Sequence, residues 1–375
     1  MRVAWDNSLA RRNPAGTGVY ASNLIRELSA RPDVDLTVFE GWDPSKRERG
    51  EFGQQGVLSR GMRGVIGVVS HHVYFPYLLR KGHFDVFHSP GFVVPMLCPC
   101  PSVVTVYDLS FKLFPRHFER RWTIYLNHVM PSVLRSVSAV ICISECSRQD
   151  LFRFYKIAPD KVHVVHCGID HAQFRPGTLL DPDWARSAGI RGDYVLHVGT
   201  LAARKNIPVL LRAVAALRSR GKFRDLQLVL AGAELSVLTG GPQVHTTIRE
   251  CGLGDVVVLP GHIPNEILPG LYASAKLLAM PSVYEGFGLP VLESMASGTP
   301  VVASDSSSLP EVAGDAAILV PSQDEAGWAE AIQRILETPS LAQEMRRKGL
   351  SRAQQFGWER AAEETLAVYR TVAGR

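Results

Sequence analysis

Two carboxylates, Glu285 and Glu293, bracket the stretch Pro281-Ser282-Val283-Tyr284-Glu285-Gly286-Phe287-Gly288-Leu289-Pro290-Val291-Leu292-Glu293. Pro290 falls where a helix can begin, because the N–H that proline lacks would be unpaired there in any case. Gly298 is placed to end that helix. A glycine-containing loop of this kind presents free backbone N–H groups at a helix start, and phosphate binds readily there. With Glu285 in the loop and Glu293 on the first turns of the helix, one carboxylate can reach a sugar while the other reaches a ribose. Each also has a plainer reading, Glu293 as a charge favouring the helix N-terminus and Glu285 as an exposed loop charge.

Other segments carry weaker signals. Gly16-Thr17-Gly18 forms a loop whose glycines allow close backbone approach ahead of a helix, suited to closing over a phosphate or an acceptor. The same residues, as Gly16-x-Gly18-x-x-Ala21, match a dinucleotide fingerprint with Glu40 ending the next strand. That fingerprint normally follows its strand at once, whereas Asn7 to Ala15 intervene here. Asp33-Val34-Asp35 precedes its strand and Asp181-Pro182-Asp183 lies in a connector, so neither pair is placed to hold a metal-diphosphate, and no metal is expected. The six cysteines are scattered, and Cys98-Pro99-Cys100 and Cys142-x3-Cys146 have no second ligand pair. Buried free thiols are the expectation, not a zinc site or a disulfide frame.

The elements that must position these groups follow from periodicity. At 375 residues, 46% hydrophobic and 21% charged, the chain is too long for one mid-sized core, and two domains are expected. Strand Arg2 to Asp6, a helix from Thr17 to Ala30 and strand Leu36 to Glu40 open an alternating pattern. Buried strands are expected at 86–88, 102–106, 139–143 and 162–166, with helical stretches such as 120–136 between them, which argues for a parallel sheet. From Cys167 to Gly192, Gly, Asp and Pro interrupt the pattern and read as a connector. A second alternation has strands at 194–198, 226–231, 256–259, 277–280, 300–303 and 317–320, with helices at 207–220 and 290–297. The architecture that fits is α/β, with two doubly wound Rossmann-like domains facing across a cleft. Ligands should bind in that cleft at the carboxyl ends of the strands.

The order of these segments resembles glycosyltransferase family 4, whose members are retaining enzymes with the GT-B fold and an E-x7-E signature. Besides Glu285 and Glu293, the resemblance rests on Gly16-Thr17-Gly18-Val19-Tyr20, His88-Ser89-Pro90, Ser144-Glu145-Cys146-Ser147, His197-Val198-Gly199-Thr200-Leu201-x-x-Arg204-Lys205-Asn206, Leu259-Pro260-Gly261-His262-Ile263 and Leu309-Pro310-Glu311-Val312. It implies an acceptor-binding domain over 1–170, a nucleotide-sugar domain over 171–355, and a last helix in 356–375 crossing back to the first domain. By the same resemblance Glu285 contacts the donated sugar, Glu293 contacts the ribose, and the backbone of Gly286, Phe287, Gly288 and Leu289 meets sugar and diphosphate. Arg204 and Lys205 resemble the cationic pair that answers the diphosphate, and fixed cations stabilise a leaving diphosphate without Mg²⁺. Thr200, His262, Ile263, Gly16 and Gly18 complete the donor-binding set. Many relatives carry Arg directly after the glycine of the preceding strand, where this chain has Thr200. Relatives also commonly carry His-Asp where this chain has Tyr107-Asp108. Tyr107 can still donate a hydrogen bond and stands in the catalytic set with Glu285, Arg204, Lys205 and Asp108, although a tyrosine is a poor proton shuttle near neutral pH; Asp108 is a candidate for acceptor binding or proton uptake, or else caps a strand end.

The implied reaction is hexosyl transfer from a nucleotide diphosphate-sugar, GDP-mannose foremost and UDP-glucose next, to a saccharide or lipid-linked acceptor, with no cofactor. A catalytically silent nucleotide-sugar sensor and an NAD-dependent oxidoreductase are the rivals. Residues 1–170 hold 21 Lys/Arg against 15 Asp/Glu, and residues 171–375 hold 20 against 21. Any affinity for an anionic partner therefore belongs to the first half. Phe114 to Trp122 and Arg60 to Val69 mix cations with aromatic or apolar residues, and either these segments rest on an anionic bilayer or they are solvated faces over a core. No nucleic-acid motif accompanies the mild basicity. The absence of a long apolar run or a signal-like start gives the expectation of a cytoplasmic protein, peripheral at most to the inner face of the plasma membrane.

Overall fold

The computed structural model describes residues 1–8, 16–40, 73–95, 97–118, 120–234 and 240–374. The segment Arg60 to Val69 lies outside them. The first half runs β1 (Arg2–Asp6), α1 (Gly16–Ser29), β2 (Asp35–Phe39), α2 (Phe75–Gly82), β3 (Val86–Ser89), β4 (Ser102–Val106), α3 (Ser110–Leu113), α4 (Arg120–Ser136), β5 (Ala139–Cys142), α5 (Glu145–Phe154) and β6 (Val162–Val164). All of its strand pairs are parallel, in the order β2-β1-β3-β4-β5-β6. Such a sheet is covered on both faces, and for that reason its strands are runs such as Val103-Val104 and Ala139-Val140-Ile141 with no polar alternation. Every residue of β3, β4 and β5 is buried.

The second half begins with α6 (Pro182–Ser187) inside the stretch expected to be an irregular connector. Asp181 caps this helix, its carboxylate accepting from the N–H groups of Asp183 and Trp184, and Pro182 fills the first turn. This pairing of an acidic N-cap with proline is a helix start signal in its own right. There follow β7 (Tyr194–Val198), α7 (Ile207–Ser219), β8 (Gln227–Ala231), α8 (Gly241–Glu250), β9 (Val257–Gly261), α9 (Leu268–Ser274), β10 (Leu277–Met280), α10 (Leu289–Ala296), β11 (Val301–Ser304), α11 (Leu309–Ala313), β12 (Ala317–Val320), α12 (Glu325–Glu337), α13 (Pro339–Ala353) and α14 (Trp358–Val372). The sheet order is β12-β11-β10-β7-β8-β9.

Among the described residues the two sheets differ in strand order. In the second sheet the order reverses between β7 and β10, and in the first between β1 and β3. A doubly wound sheet opens a crevice at the carboxyl ends of the two strands flanking such a reversal. The segments leaving β7 and β10 are those containing Arg204-Lys205 and Glu285.

Helix α14 packs on the first half. Trp358 lies edge-on to Tyr20 with ring centroids 6.1 Å apart, the Tyr369 hydroxyl pairs with His88 Nδ1, and Arg370 pairs with Asp33 at 2.8 Å. His88 Nε2 meets Thr105 Oγ1 at 2.8 Å, which places the ring in a chain of buried polar contacts beneath β3 and β4. Burial drives His88 down to about 3 and keeps it neutral. One hydrophobic cluster runs through residues of both halves and α14, while two others back the outer face of each sheet.

Candidate functional site

The strand β10 ends at Met280, and the chain turns through Ser282 to Gly288 before α10 begins. Gly288 is the N-cap of α10, at φ 114°, a left-handed geometry that a side chain resists. A Cβ there would also lie 2.8 Å from Leu309 Cδ2. No side chain caps this end of α10, and Pro290 stands in its first turn as expected. The loop is fixed by serines from the segment before α11. Ser308 Oγ donates to the carbonyls of Glu285 (2.9 Å) and Phe287 (2.7 Å), and the Glu285 N–H donates to Ser307 Oγ at 2.8 Å. Sequence reading singled out none of these serines.

Glu285 is only 7% exposed. Its Oε1 accepts from Lys205 Nζ and from Ser282 Oγ, both at 2.6 Å, and its Oε2 accepts from Arg204 Nη1 at 2.9 Å. Burial alone would raise this carboxyl, but Lys205 and Arg204 beside it outweigh burial and hold it at about 2. Lys205 is 6% exposed, and burial lowers it against the opposing pull of Glu285. For Arg204 burial also acts downward, but the neighbouring carboxylates prevail and raise it. The two cations expected to face a diphosphate thus share one carboxylate, and the cluster as a whole carries a net charge of +1. The turn holding them, Ala203–Lys205, is strapped to the loop by Val283 N–H donating to the Arg204 carbonyl at 2.9 Å.

Glu293, on the second turn of α10, accepts from the Tyr272 hydroxyl of α9 at 2.6 Å. Burial raises its carboxyl to about 7, with the Tyr272 hydrogen bond opposing. This group changes charge near neutrality, whereas Glu285 does not. Tyr272 is a further residue that sequence reading missed. His197 Nδ1 lies 2.9 Å from the Ala279 carbonyl and its Nε2 has no partner. Burial brings the ring down to about 4.

Thr200 follows Gly199 at the carboxyl end of β7 and is half-buried, His262 is exposed just beyond β9, and Ile263 is buried. Phe287 is buried, with its ring 5.9 Å from His166 and 6.0 Å from Phe356. Leu289 opens α10, half-exposed.

In the first half one expectation needs correction, that for Gly16 and Gly18. Tyr107, expected in the catalytic set, donates its hydroxyl to the Pro90 carbonyl at 2.9 Å and lies edge-on to Tyr20 at 5.3 Å. Burial pushes the phenol well above its ordinary range. Gly16 and Gly18, expected in a loop, occupy the first turn of α1, whose packing is set by buried Tyr20, Leu24 and Leu28. Asp108 Oδ1 accepts from the Ser110 N–H at 2.8 Å and from its hydroxyl. The Tyr107-Asp108 turn abuts the loop before α10: a Cβ on Gly286 would lie 2.5 Å from the Tyr107 carbonyl oxygen and 3.1 Å from Asp108 Cβ. Only glycine permits this approach.

Among the described residues no three or more His, Cys, Asp or Glu are grouped to hold a metal ion, and all six cysteines are free thiols, with Cys142 and Cys167 buried. No helix among them is long and apolar enough to cross a membrane.

Two family models match the chain, glycosyl transferases group 1 over residues 184–352 and glycosyltransferase family 4 over residues 14–173. An O-antigen chain mannosyltransferase B from Escherichia coli is 29% identical, over 95% of this chain and 96% of its own. An MMP alpha-(1->4)-mannosyltransferase from Mycolicibacterium hassiacum is 30% identical, over 100% and 99%, and a D-inositol 3-phosphate glycosyltransferase from Corynebacterium aurimucosum is 34% identical, over 94% and 90%. In fold the chain is similar to sucrose-phosphate synthase from Thermosynechococcus elongatus, with TM-score 0.75, 23% identity and coverage of 99% and 98%. It is likewise similar to HepE from Anabaena in complex with UDP and glucose, with TM-score 0.73, 19% identity and coverage of 99% and 100%.

Proposed function

We propose that this chain, which belongs to the group 1 glycosyltransferases and is a hexosyltransferase, moves mannose from GDP-mannose to a hydroxyl of a saccharide or lipid-linked acceptor, with retention of configuration and without a metal ion. The observation that carries this reading is the cluster of Arg204, Lys205 and Glu285 beside the uncapped start of α10, at the strand reversal of the second sheet. Free helix N–H groups, buried Lys205 and half-buried Arg204 make a seat for a diphosphate, and they act where negative charge grows as the nucleoside diphosphate departs. Glu285, ionised at any ordinary pH, accepts from hydroxyls of the sugar, and Glu293 accepts from the ribose. The first half presents the acceptor beside Asp108. The acceptor oxygen bonds to the anomeric carbon on the face from which the diphosphate oxygen leaves, and the acceptor proton passes to that leaving oxygen.

Mannose as the sugar is supported by the mannosyltransferases among the relatives. Exposed Trp122 and Ile124 on α4, next to Arg120 and Arg121, support an enzyme resting peripherally on an anionic membrane. The test is a transfer assay with GDP-mannose, UDP-glucose and ADP- and dTDP-hexoses against saccharide, lipid-linked and D-inositol 3-phosphate acceptors, run with wild type and Arg204→Ala. The expected result is transfer from GDP-mannose, lost in the variant. Donor-induced thermal stabilisation without any transfer or hydrolysis would favour a sensor instead, and stabilisation by NAD alone would overturn the reading.

A further inference from the structure

Helix α5, in the first half, has N–H groups in its first turn that need partners from outside the helix. Ser144, its N-cap, accepts from the Ser147 N–H at 3.1 Å. The other two are taken by a residue of the second half. The carboxylate of Glu311, on α11, accepts from the Glu145 N–H with Oε1 at 2.8 Å and Oε2 at 3.0 Å, and from the Cys146 N–H with Oε2 at 3.3 Å. His166 Nε2 lies 2.7 Å from Glu311 Oε1. Glu311 is itself anchored behind: Arg352 of α13 donates to the main-chain carbonyls of Glu311 (2.6 Å) and Val312 (3.0 Å).

The same helix start also holds the donor loop. Ser144 Oγ donates to the Gly286 carbonyl at 2.7 Å, and Ser147 Oγ donates to the carbonyls of Tyr107 at 2.8 Å and Gly286 at 3.3 Å. One turn further along α5, Asp150 accepts from the Tyr284 hydroxyl at 2.7 Å. Gly286 adjoins Glu285, so the place where α5 sits sets where the sugar-facing carboxylate lies relative to the Tyr107-Asp108 turn.

We propose that Glu311 is a positioning residue for transfer, whose carboxylate, seated on the first turn of α5 beside His166, locks the two halves in the register that presents the Gly286 loop to the acceptor side. The lock is electrostatically matched, because a helix N-terminus carries partial positive charge and a carboxylate is favoured there. It is also geometrically specific, because two consecutive N–H groups and an imidazole are met at once. The donor contacts proposed above, at Arg204, Lys205, Glu285, Glu293 and the start of α10, lie in the second half and do not pass through Glu311. Its loss therefore separates donor binding from turnover.

The kinetic arm of the test rests on the hexosyl-transfer reading, and a scattering arm does not. Full-length Glu311→Gln is compared with wild type in GDP-mannose affinity by calorimetry, in kcat and acceptor KM, and in radius of gyration by solution X-ray scattering. The expected result is a GDP-mannose Kd within about 3-fold of wild type, a kcat lower by about 10- to 100-fold and a larger radius of gyration. His166→Gln, which keeps the two backbone contacts, shifts kcat and radius in the same direction by less, and it decides the matter where the Glu311 variant does not fold. An unchanged kcat in a folded variant, or a donor Kd that worsens in step with kcat, overturns the proposal. If the wild type transfers nothing, the hexosyl-transfer reading fails by itself, and the radius of Glu311→Gln still decides whether the lock exists.

Discussion

Replacing Glu285 with Gln keeps the shape of the side chain and removes the charge shared by Lys205 and Arg204. A carboxyl whose ordinary value is 4.5 and which the fold holds at about 2 gives, on ionisation, roughly 3 kcal/mol of stability. The sign follows from the direction of the shift: the folded value is depressed, so this stability is fully present above 4.5 and is lost as pH falls through about 2. Stranding Lys205, 6% exposed, points to the same size of loss, since breaking a buried pair costs about 3–5 kcal/mol. Glu285→Gln is therefore expected to lose about 3 kcal/mol in equilibrium urea unfolding at pH 7, read by tryptophan fluorescence. It should also flatten the acid limb expected of wild type below pH 4.5 by the share of this one carboxyl. In a Lys205→Met background the same change should cost less, with a coupling of about 1–3 kcal/mol. Transfer should fall below detection in Glu285→Gln whatever its stability. A loss under about 0.5 kcal/mol, or additive losses in the two backgrounds, would refute the shared-charge reasoning.

Glu293 titrates near neutrality because burial raises it to about 7. Ionisation of this residue therefore disfavours the fold as pH rises from 4.5 through about 7, and a ribose diol donating to the ionised form draws the proton off. GDP-mannose affinity should rise with pH across 6–8 with proton release visible by calorimetry in buffers of different ionisation enthalpy, and Glu293→Gln should flatten that profile; an identical profile in the variant would count against the assignment. Tyr107→Phe should leave kcat within about 3-fold of wild type and cost about 1 kcal/mol in unfolding, as expected for a hydroxyl bound to a backbone carbonyl; a large fall in kcat with intact stability would restore it to the catalytic set. Tyr369→Phe leaves His88 Nδ1 buried without its partner and should destabilise the first half by about 1–3 kcal/mol without altering donor affinity, which hydrogen exchange of β3 and β4 would report.

The parallel sheets were legible because strands buried on both faces must be apolar throughout, as Val103-Val104 and Leu277-Leu278-Ala279-Met280 are. The donor loop was legible for a local reason: a proline in the first turn, a glycine at the N-cap and a glycine after the last turn are contiguous signals. Contacts made across long separations were not. Glu311 meets α5 from 166 positions away, and α11, only five residues long, has too little periodicity to announce which way the side chain points. Sequence showed that a histidine is absent at position 107, but the carbonyl of Pro90 that occupies the phenol is a tertiary fact. The Gly16-Thr17-Gly18 run read as a loop because glycine favours loops, even though the periodicity put a helix from Thr17 on, and the burial of Tyr20, Leu24 and Leu28 carries the helix through it from Gly16. The Asp181-Pro182 start of α6 was visible as a capping signal and was outweighed by the prolines and glycines around it.

The central claim is that a diphosphate is seated between the start of α10 and the Arg204-Lys205 pair. A crystal structure of the chain soaked with GDP-mannose tests this most directly. The predicted map shows diphosphate oxygens within hydrogen-bond reach of the first backbone N–H groups of α10 and of one or both cations, with the ribose against Glu293 and the hexose against Glu285. Density for the diphosphate at any place remote from residues 204–205 and 285–293 would contradict the account.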